Sequence, residues 1–301
     1  MAVAWQQLSA HAWLVPGAVN SVVLEHAGRA VLIDTGADRD AGKRLVRGLR
    51  ERSWRLEAIV TTHAHADHVG GHAAVLRQLD VPVYAPAIEA ELIRAPVLEP
   101  IYLFHGAAPL PELASRWLQA EPSRVDVVAE AGALDLIGLP LELIAVDGHA
   151  IRQLAVRVDD VLIAGDAVFG AAIAARYPLL FAHDVVAQRR SAERVGADAA
   201  RLAVPGHGEP APPRELAAAT TDAIDAAHAA LRSTLAARPD GVETAAVVRA
   251  VAATLGARMD DLPRWHLNHT TVCAYLAAAR AAGEADVRID DGRLLWFARP
   301  G

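Results

Sequence analysis

An α/β fold followed by a helical C-terminal extension is what the sequence predicts, on three observations. Short β-branched or apolar runs alternate with helical segments through residues 1–212. Two pairs of segments resemble each other: VVLEHAGRAVLID (22–34) with LAVRVDDVLIAGD (154–166), and AIVTTHAHADH (58–68) with RLAVPGHGEP (201–210). Each runs from a strand to an aspartate or histidine, so two similar halves would gather their polar strand ends at one edge of a two-sheet core. The third observation is the proline-rich run Gly208-Glu209-Pro210-Ala211-Pro212-Pro213, after which helical periodicity takes over. The expected division is 1–212 and 213–301.

The elements follow in order. Asn20–Glu25 and Ala30–Asp34 read as a hairpin around His26-Ala27-Gly28-Arg29. Asp38–Arg52 is polar, with Leu45, Val46 and Leu49 at helical spacing, a surface helix. Leu56–Thr61 is a strand, Gly71–Leu79 a helix, Val81–Tyr84 a strand and Ile88–Arg94 a helix. From Ala95 to Pro122 prolines interrupt Leu98, Ile101, Leu103, Phe104 and Trp117, the pattern of a lid or binding wall. Strands resume at Arg124–Val128, Leu141–Val146, Leu154–Val158, Val161–Ala164 and Leu202–Pro205. Beyond the boundary come helices over Glu215–Ala237 and Glu243–Leu255, a helix start near Asp260, a helix over Thr270–Ala282, and strands Asp286–Ile289 and Arg293–Phe297. Helices ending in a hairpin have the outline of a winged helix.

Composition narrows the function. Hydrophobic residues make up 53% of the 301 and charged residues 22%, a core-forming balance that excludes wholesale disorder. The formal net charge is −7, ill suited to general binding of phosphate backbones. Residues 215–301 hold nine arginines against eleven carboxylates, so the extension offers no excess of positive charge. Cys273 is the only cysteine and forms no internal disulfide, which fits a reducing compartment. Neither a signal peptide nor an apolar run of spanning length is visible, so the expectation is a cytoplasmic protein without membrane contact.

The chemistry is concentrated in Thr62-His63-Ala64-His65-Ala66-Asp67-His68 at a strand end. His63 and His65 are two apart, so an extended or loop backbone aims both imidazoles to one side, and Asp67 and His68 follow within reach of a second centre. Asp147-Gly148-His149, Gly165-Asp166 and Pro205-Gly206-His207-Gly208 end three further strands, each with a glycine that permits a close turn beside the candidate ligand. Clustered histidine and aspartate at strand ends are the pattern of a metal centre. Tyr177, His183 and His105 sit in or beside irregular apolar segments and are candidates for the substrate pocket. His266 and His269, three apart near Trp265, are assigned to packing of the extension.

THAHADH, the later GH, AGDA and PGHG together resemble the signature series of the metallo-β-lactamase superfamily, over about residues 10–212. The resemblance implies a four-layer αββα sandwich, here with a small helical, winged-helix-like C-terminal domain. It also implies one metal held by His63, His65 and His149, a second by Asp67, His68 and His207, with Asp166 bridging and Asp34 supporting from behind the ligands. The pattern is that of two-metal, glyoxalase II-like and lactonase-like members. Where the family commonly reads GHTPG or GHSPG, this chain reads GHAIRQ at 148–153.

The activity implied is hydrolysis of a small acyl substrate (thioester, lactone or similar ester or amide) by a hydroxide bridging two divalent ions. Zinc is the first expectation for the ions, with iron or manganese as alternatives, and Asp67 orients the nucleophile or shuttles its proton. The competing reading is a metal-dependent phosphodiesterase or ribonuclease, because a lactamase-like core with a winged-helix-like tail resembles an endoribonuclease architecture. A single-iron oxygenase is the third, disfavoured by the complete second ligand set. The expected partners are a small-molecule substrate and a second copy in a homodimer, with nucleic acid disfavoured.

Overall fold

The computed structural model describes residues 5–299. Its first half runs β1 (Gln6–Gln7), β2 (Ala12–Val15), β3 (Ser21–His26), β4 (Arg29–Ile33), α1 (Arg39–Glu51), β5 (Arg55–Val60), α2 (Ala66–Val69) and α3 (His72–Leu76). It continues through β6 (Val83–Pro86), α4 (Ala87–Arg94), α5 (Leu98–Leu103), a 3-10 turn (Pro111–Leu113) and β7 (Val127–Ala129). The strands form one sheet in the order β1 to β7, antiparallel as far as β4 and parallel from β4 onward. The second half adds β8 (Gly132–Leu136), β9 (Leu139–Ala145), β10 (Leu154–Val158), β11 (Val161–Gly165), α6 (Ala171–Arg176), α7 (Val185–Gly196) and β12 (Leu202–Pro205). They form a five-stranded sheet in the order β12-β11-β10-β9-β8.

The two sheets pack face to face. Val22, Leu24, Val31 and Ile33 of the first meet Leu141, Leu143, Val156 and Ile163 of the second in one core. The outer face of the first sheet is covered through Leu32, Ile59, Leu45 and Leu49, and that of the second through Ala155, Leu162, Val195 and Leu216. Helices therefore lie on both outer faces, the expected αββα arrangement. Central strands such as β11 are buried along their whole length, which is why they read as continuous apolar runs rather than alternation.

Sequence and structure differ in places. The edge strand β8 is largely exposed and broken by Gly132 and Asp135, so no apolar periodicity announces it. No element was expected between 167 and 201, where α6 and α7 lie; α7 buries only Val185, Gln188, Ser191, Ala192 and Val195, a sparse stripe. The segment 95–122 contains α5, and Leu103, Leu113 and Leu118 close a small cluster with Phe104, Phe181 and Leu267.

The last residues form α8 (Pro213–Ala236), β13 (Val242–Glu243), α9 (Thr244–Leu255), α10 (Leu262–Ala281), β14 (Ala285–Asp290) and β15 (Arg293–Ala298). The three strands pair in the order β13-β15-β14. Their cluster includes Ile224, Leu231, Val247, Val251, Val272 and Leu276, together with Leu179 and Val185 from before the proline-rich run. α10 is continuous where two helices were expected. Thr271 is buried together with Val272, Tyr275 and Leu276, and its hydroxyl is satisfied within the helix by donating to the Leu267 carbonyl at 2.9 Å, so tertiary burial carries the helix through the polar Asn268–Thr271 stretch. Among the described residues no helix is long and apolar enough to cross a membrane.

Candidate metal centre

Five strand ends meet at one edge of the sandwich: β4 delivers Asp34, β5 the 61–68 loop, β9 the 147–149 turn, β11 Asp166 and β12 His207. Because β4 and β5 are parallel, as are β11 and β12, their C-terminal ends point the same way.

Three groups of ligand-type atoms converge there: His63, His65 and His149; His63, His68 and Asp166; and Asp67, His68 and His207. Nε2 of His63 lies 3.0 Å from Nδ1 of His65, and that Nδ1 lies 2.9 Å from Nε2 of His149. Asp166 spans the cluster: its Oδ1 is 3.3 Å from Nε2 of His68, and its Oδ2 is 3.3 Å from Nε2 of His149 and 3.4 Å from Nε2 of His207. The Oδ2 of Asp67 is 3.3 Å from the same His207 nitrogen.

The opposite ring atoms are held from behind. Nδ1 of His68 faces Oδ2 of Asp34 at 2.8 Å, Nδ1 of His149 the Phe181 carbonyl at 3.0 Å, and Nδ1 of His207 the Ala18 carbonyl at 3.0 Å. With Nδ1 of each ring turned to one of these oxygens, Nε2 is the atom that each ring presents to the cluster. Asn20, which the sequence did not single out, ties its loop to the His207 turn by donating Nδ2 to the carbonyls of Pro205 (2.9 Å) and Gly208 (2.7 Å). Gln188, equally unmarked, donates Nε2 to the carbonyls of Asp166 and Ala167 at 3.1 and 3.0 Å. Neither residue type is diagnostic in sequence; only the fold brings them here.

Charge divides the cluster. Burial, then the neighbouring imidazoles, push His63 well below its ordinary value and bring His65 down to about 3. Burial also lowers His149. These three imidazoles are neutral at neutral pH, with lone pairs to offer. Burial pulls His68 and His207 the same way, but Asp166 with Asp34 raises His68 to about 10, and Asp166 with Asp67 raises His207 to about 11. Against the cost of its burial, Asp166 is held well below the carboxylate range by His207, His68 and His149.

The donor set fits divalent cations. Nε2 of His68 and Oδ1 of Asp166 are buried, make no well-formed hydrogen bond and face each other at 3.3 Å, so both are available to a cation. Imidazole nitrogens and carboxylate oxygens gathered in this way are the donors that divalent metal ions take.

The other candidates separate. His183 is exposed, and its backbone N–H donates to the His149 carbonyl at 3.2 Å. Tyr177 is exposed under the Arg176 guanidinium, 5.3 Å from its ring. His105 joins a different group, its ring 5.0 Å from His269 and 6.3 Å from His266, on the face where the 95–122 segment meets α10. Nδ1 of His266 donates to the Leu103 carbonyl at 3.1 Å, a packing contact. Phe181 stands edge-on to His65 and His149, and the Phe169 ring lies nearly parallel to His207. Neither aromatic was anticipated.

The fold and this edge cluster have counterparts. Residues 14–207 match the family model of the metallo-beta-lactamase superfamily, and the chain belongs to that superfamily. It is 33% identical over 147 residues to a probable metallo-hydrolase, YflN, of Bacillus subtilis, covering 46% of this chain and 55% of that protein. To a hydroxyacylglutathione hydrolase of Dechloromonas aromatica it is 29% identical over 149 residues, 50% of this chain and 43% of that one. A shorter stretch of 84 residues, 25% of this chain and 13% of the other, is 34% identical to a ribonuclease J of Synechocystis. The chain spans about half the length of the curated relatives it matches first. In fold it is similar to a beta-lactamase domain protein from Burkholderia ambifaria, with a TM-score of 0.74, 18% identity, and coverage of 99% of this chain and 94% of that one.

Proposed function

We propose that the chain hydrolyses a small acyl substrate, a thioester, lactone or related ester or amide, with two divalent ions held by the edge cluster. The observation that carries this reading is the convergence of three buried or half-buried His/Asp groups, whose ligand atoms lie within reach of one another at one edge of the sandwich. His63, His65 and His149 would hold one ion, Asp67, His68 and His207 the other, with Asp166 between them. Zinc suits this donor set best, with iron or manganese as alternatives. Ions bound there supply a water acidified from 15.7 toward about 7 and a Lewis acid for the carbonyl oxygen.

The remaining work falls to side chains. Burial acts to raise the Asp67 carboxyl, but the hydrogen bond from His207 and the charge of His68 keep it below its ordinary value, so it is ionised. Partly exposed beside His207, it would orient the attacking water and take up its proton. Phe169 and Phe181 exclude solvent from the imidazoles. Phe181 also belongs to the cluster with Leu103, Leu113, Leu118 and Leu267, which supports an apolar wall for the acyl portion, built jointly by the 95–122 segment and α10. On this reading residues 1–212 carry the chemistry, and 213–301 complete the wall.

The ribonuclease J stretch favours phosphodiester cleavage as the second reading. Against it, the hairpin turn of the extension carries Asp290 and Asp291. One experiment separates them: metal analysis of protein purified without chelator, joined to a screen of thioesters, lactones, cephalosporins and bis(p-nitrophenyl) phosphate. Two ions with turnover of a thioester or lactone supports the proposal. At most one ion after zinc or manganese loading, or turnover of the phosphodiester alone, overturns it.

A further inference from the structure

Glu89, on α4, is fully buried and makes no ion pair among the described residues. Its carboxylate accepts two backbone hydrogen bonds from segments far apart in sequence. Oε2 takes the N–H of Ala64 at 2.8 Å, and Oε1 takes the N–H of Arg152 at 3.0 Å.

The placement is costly. Burial raises the carboxyl to about 7, with the N–H donors of Arg152 and Ala64 pulling the other way. A buried carboxylate without a cation is tolerated only where its hydrogen bonds do something an apolar residue could not. Its helix neighbours Ala90 and Ile93 fill the core in the ordinary way, so packing alone calls for no acid here.

The two peptides it joins are those that aim the candidate ligands. Ala64 sits between His63 and His65, so holding its N–H holds the loop backbone from which both imidazoles project. Arg152 closes the turn that carries His149. That turn is already sewn internally: Gly148 N–H donates to the Ala150 carbonyl at 3.0 Å, and Gln153 N–H to Oδ1 of Asp147 at 2.9 Å. It therefore moves as one piece. Beside it, Leu154 N–H donates to the Thr62 carbonyl at 3.0 Å, a tie at the strand end. Glu89 adds the tie at the ligand level. Ile151 stands where the GHTPG and GHSPG motifs carry proline.

We propose that Glu89 is a positioning residue, which holds the His63–His65 loop and the His149 turn in the register needed for three imidazoles to share one ion. The inference rests on the metal reading given above, and it concerns the geometry of that ion rather than the substrate. In Glu89→Gln the amide keeps one acceptor and turns an N–H₂ group against the other peptide N–H, so one of the two segments is released. In Glu89→Asp both acceptor oxygens remain, with a shorter reach.

The test uses the full chain, with zinc affinity measured by chelator competition, the visible absorption of the cobalt-loaded protein, and thermal unfolding of the ion-free protein. Glu89→Gln is expected to bind its first ion about 10–100-fold more weakly, the usual cost of losing a support behind a ligand. Its cobalt bands should shift, and Glu89→Asp should recover part of the affinity. Wild-type affinity and cobalt spectrum in a folded Glu89→Gln overturn the proposal, even if the ion-free protein melts earlier, because that outcome is a purely structural role. If Glu89→Gln does not fold, Glu89→Asp carries the test, and wild-type affinity and spectrum there overturn it. A wild-type chain that takes up no ion overturns the metal reading as well, which distinguishes the two failures.

Discussion

Oδ2 of Asp34 lies 2.8 Å from Nδ1 of His68, and the same carboxylate accepts the N–H and hydroxyl of Thr62, each at 2.8 Å. Asp34 thus fixes both the strand end and the ring that follows it, from a backbone with φ +57, a region aspartate tolerates better than most residues. Asp34→Asn keeps the size and one acceptor but loses the charge that holds the imidazole. The ion on the His68 side should bind about 10–100-fold more weakly while the His63 side is less affected. Stepwise chelator competition measures this, and equal affinities for both ions in mutant and wild type would refute it.

Asp67→Asn should lose turnover rather than binding. Asparagine retains a carbonyl oxygen for the ion but cannot take a proton at neutral pH. General acid–base help is worth about 10²–10⁴-fold. Both kcat and kcat/KM should fall by that order with little change in KM, the signature of a lost transition-state interaction. Steady-state kinetics on ion-replete protein decide it, and a near wild-type kcat with both ions retained would leave Asp67 a purely structural role.

Legibility in the sequence followed signal strength. The seven ligand candidates were readable because histidine and aspartate at strand ends, beside Gly148, Gly165 and Gly206, have few other reasons to cluster. The strands between the sheets were readable because burial on both faces leaves continuous apolar runs. Glu89 and Gln188 were not readable. Each lies on a helix far from the motif, and a lone acid or amide at a helical position reads as solvated until the fold buries it. His105 stands between these cases: its irregular apolar surroundings pointed to a pocket, and the chain turns there through φ +57 and sets the ring against His269 of α10, a pairing that sequence spacing alone does not announce.

His72 gives a pH dependence independent of the metal. It is fully buried, with Nε2 3.2 Å from the Thr61 hydroxyl and Nδ1 3.2 Å from the Ser123 hydroxyl. Burial lowers it from 6.5 to about 3. Its folded value is depressed, so the stability it contributes is complete above 6.5 and is lost as pH falls from 6.5 toward 3. One proton taken up on unfolding corresponds to about 1.4 kcal/mol per pH unit. Because His65 is lowered to about 3 as well, the comparison must be made against His72→Asn. In ion-free protein the stability gap between wild type and His72→Asn should narrow with acidification at about that slope. Denaturant melts at several pH values test it, and parallel curves would contradict the assignment.

Gly206 and Gly148 should fail in different ways when replaced by alanine. A Cβ at Gly206 would stand 2.0 Å from Oδ1 of Asp166 and 2.6 Å from Cε1 of His68. Both obstacles are side-chain atoms of the ligand cluster, so Gly206→Ala displaces ligands and leaves the surrounding backbone in place. Gly148 has φ +124, which alanine rarely adopts, and a Cβ there would meet the backbone of α7: Gln188 N at 2.0 Å and Gln188 Cα at 2.4 Å. Asp184 N–H also donates to the Gly148 carbonyl at 2.9 Å, so the start of α7 is bound to this turn from the other side. Helix backbone cannot swing away as a side-chain tip can. Overpacking of this kind costs about 1–3 kcal/mol or more, with backbone strain added. Gly148→Ala should therefore lower the melting temperature of ion-free protein by several degrees. Gly206→Ala should melt close to wild type without ions but gain much less stability when zinc is added, since ligand-linked stabilisation follows affinity. Thermal melts of both variants, with chelator and with zinc, separate the cases. A Gly206→Ala protein stabilised by zinc as fully as wild type would show that the turn relaxes away from Asp166 and that the close approach is dispensable.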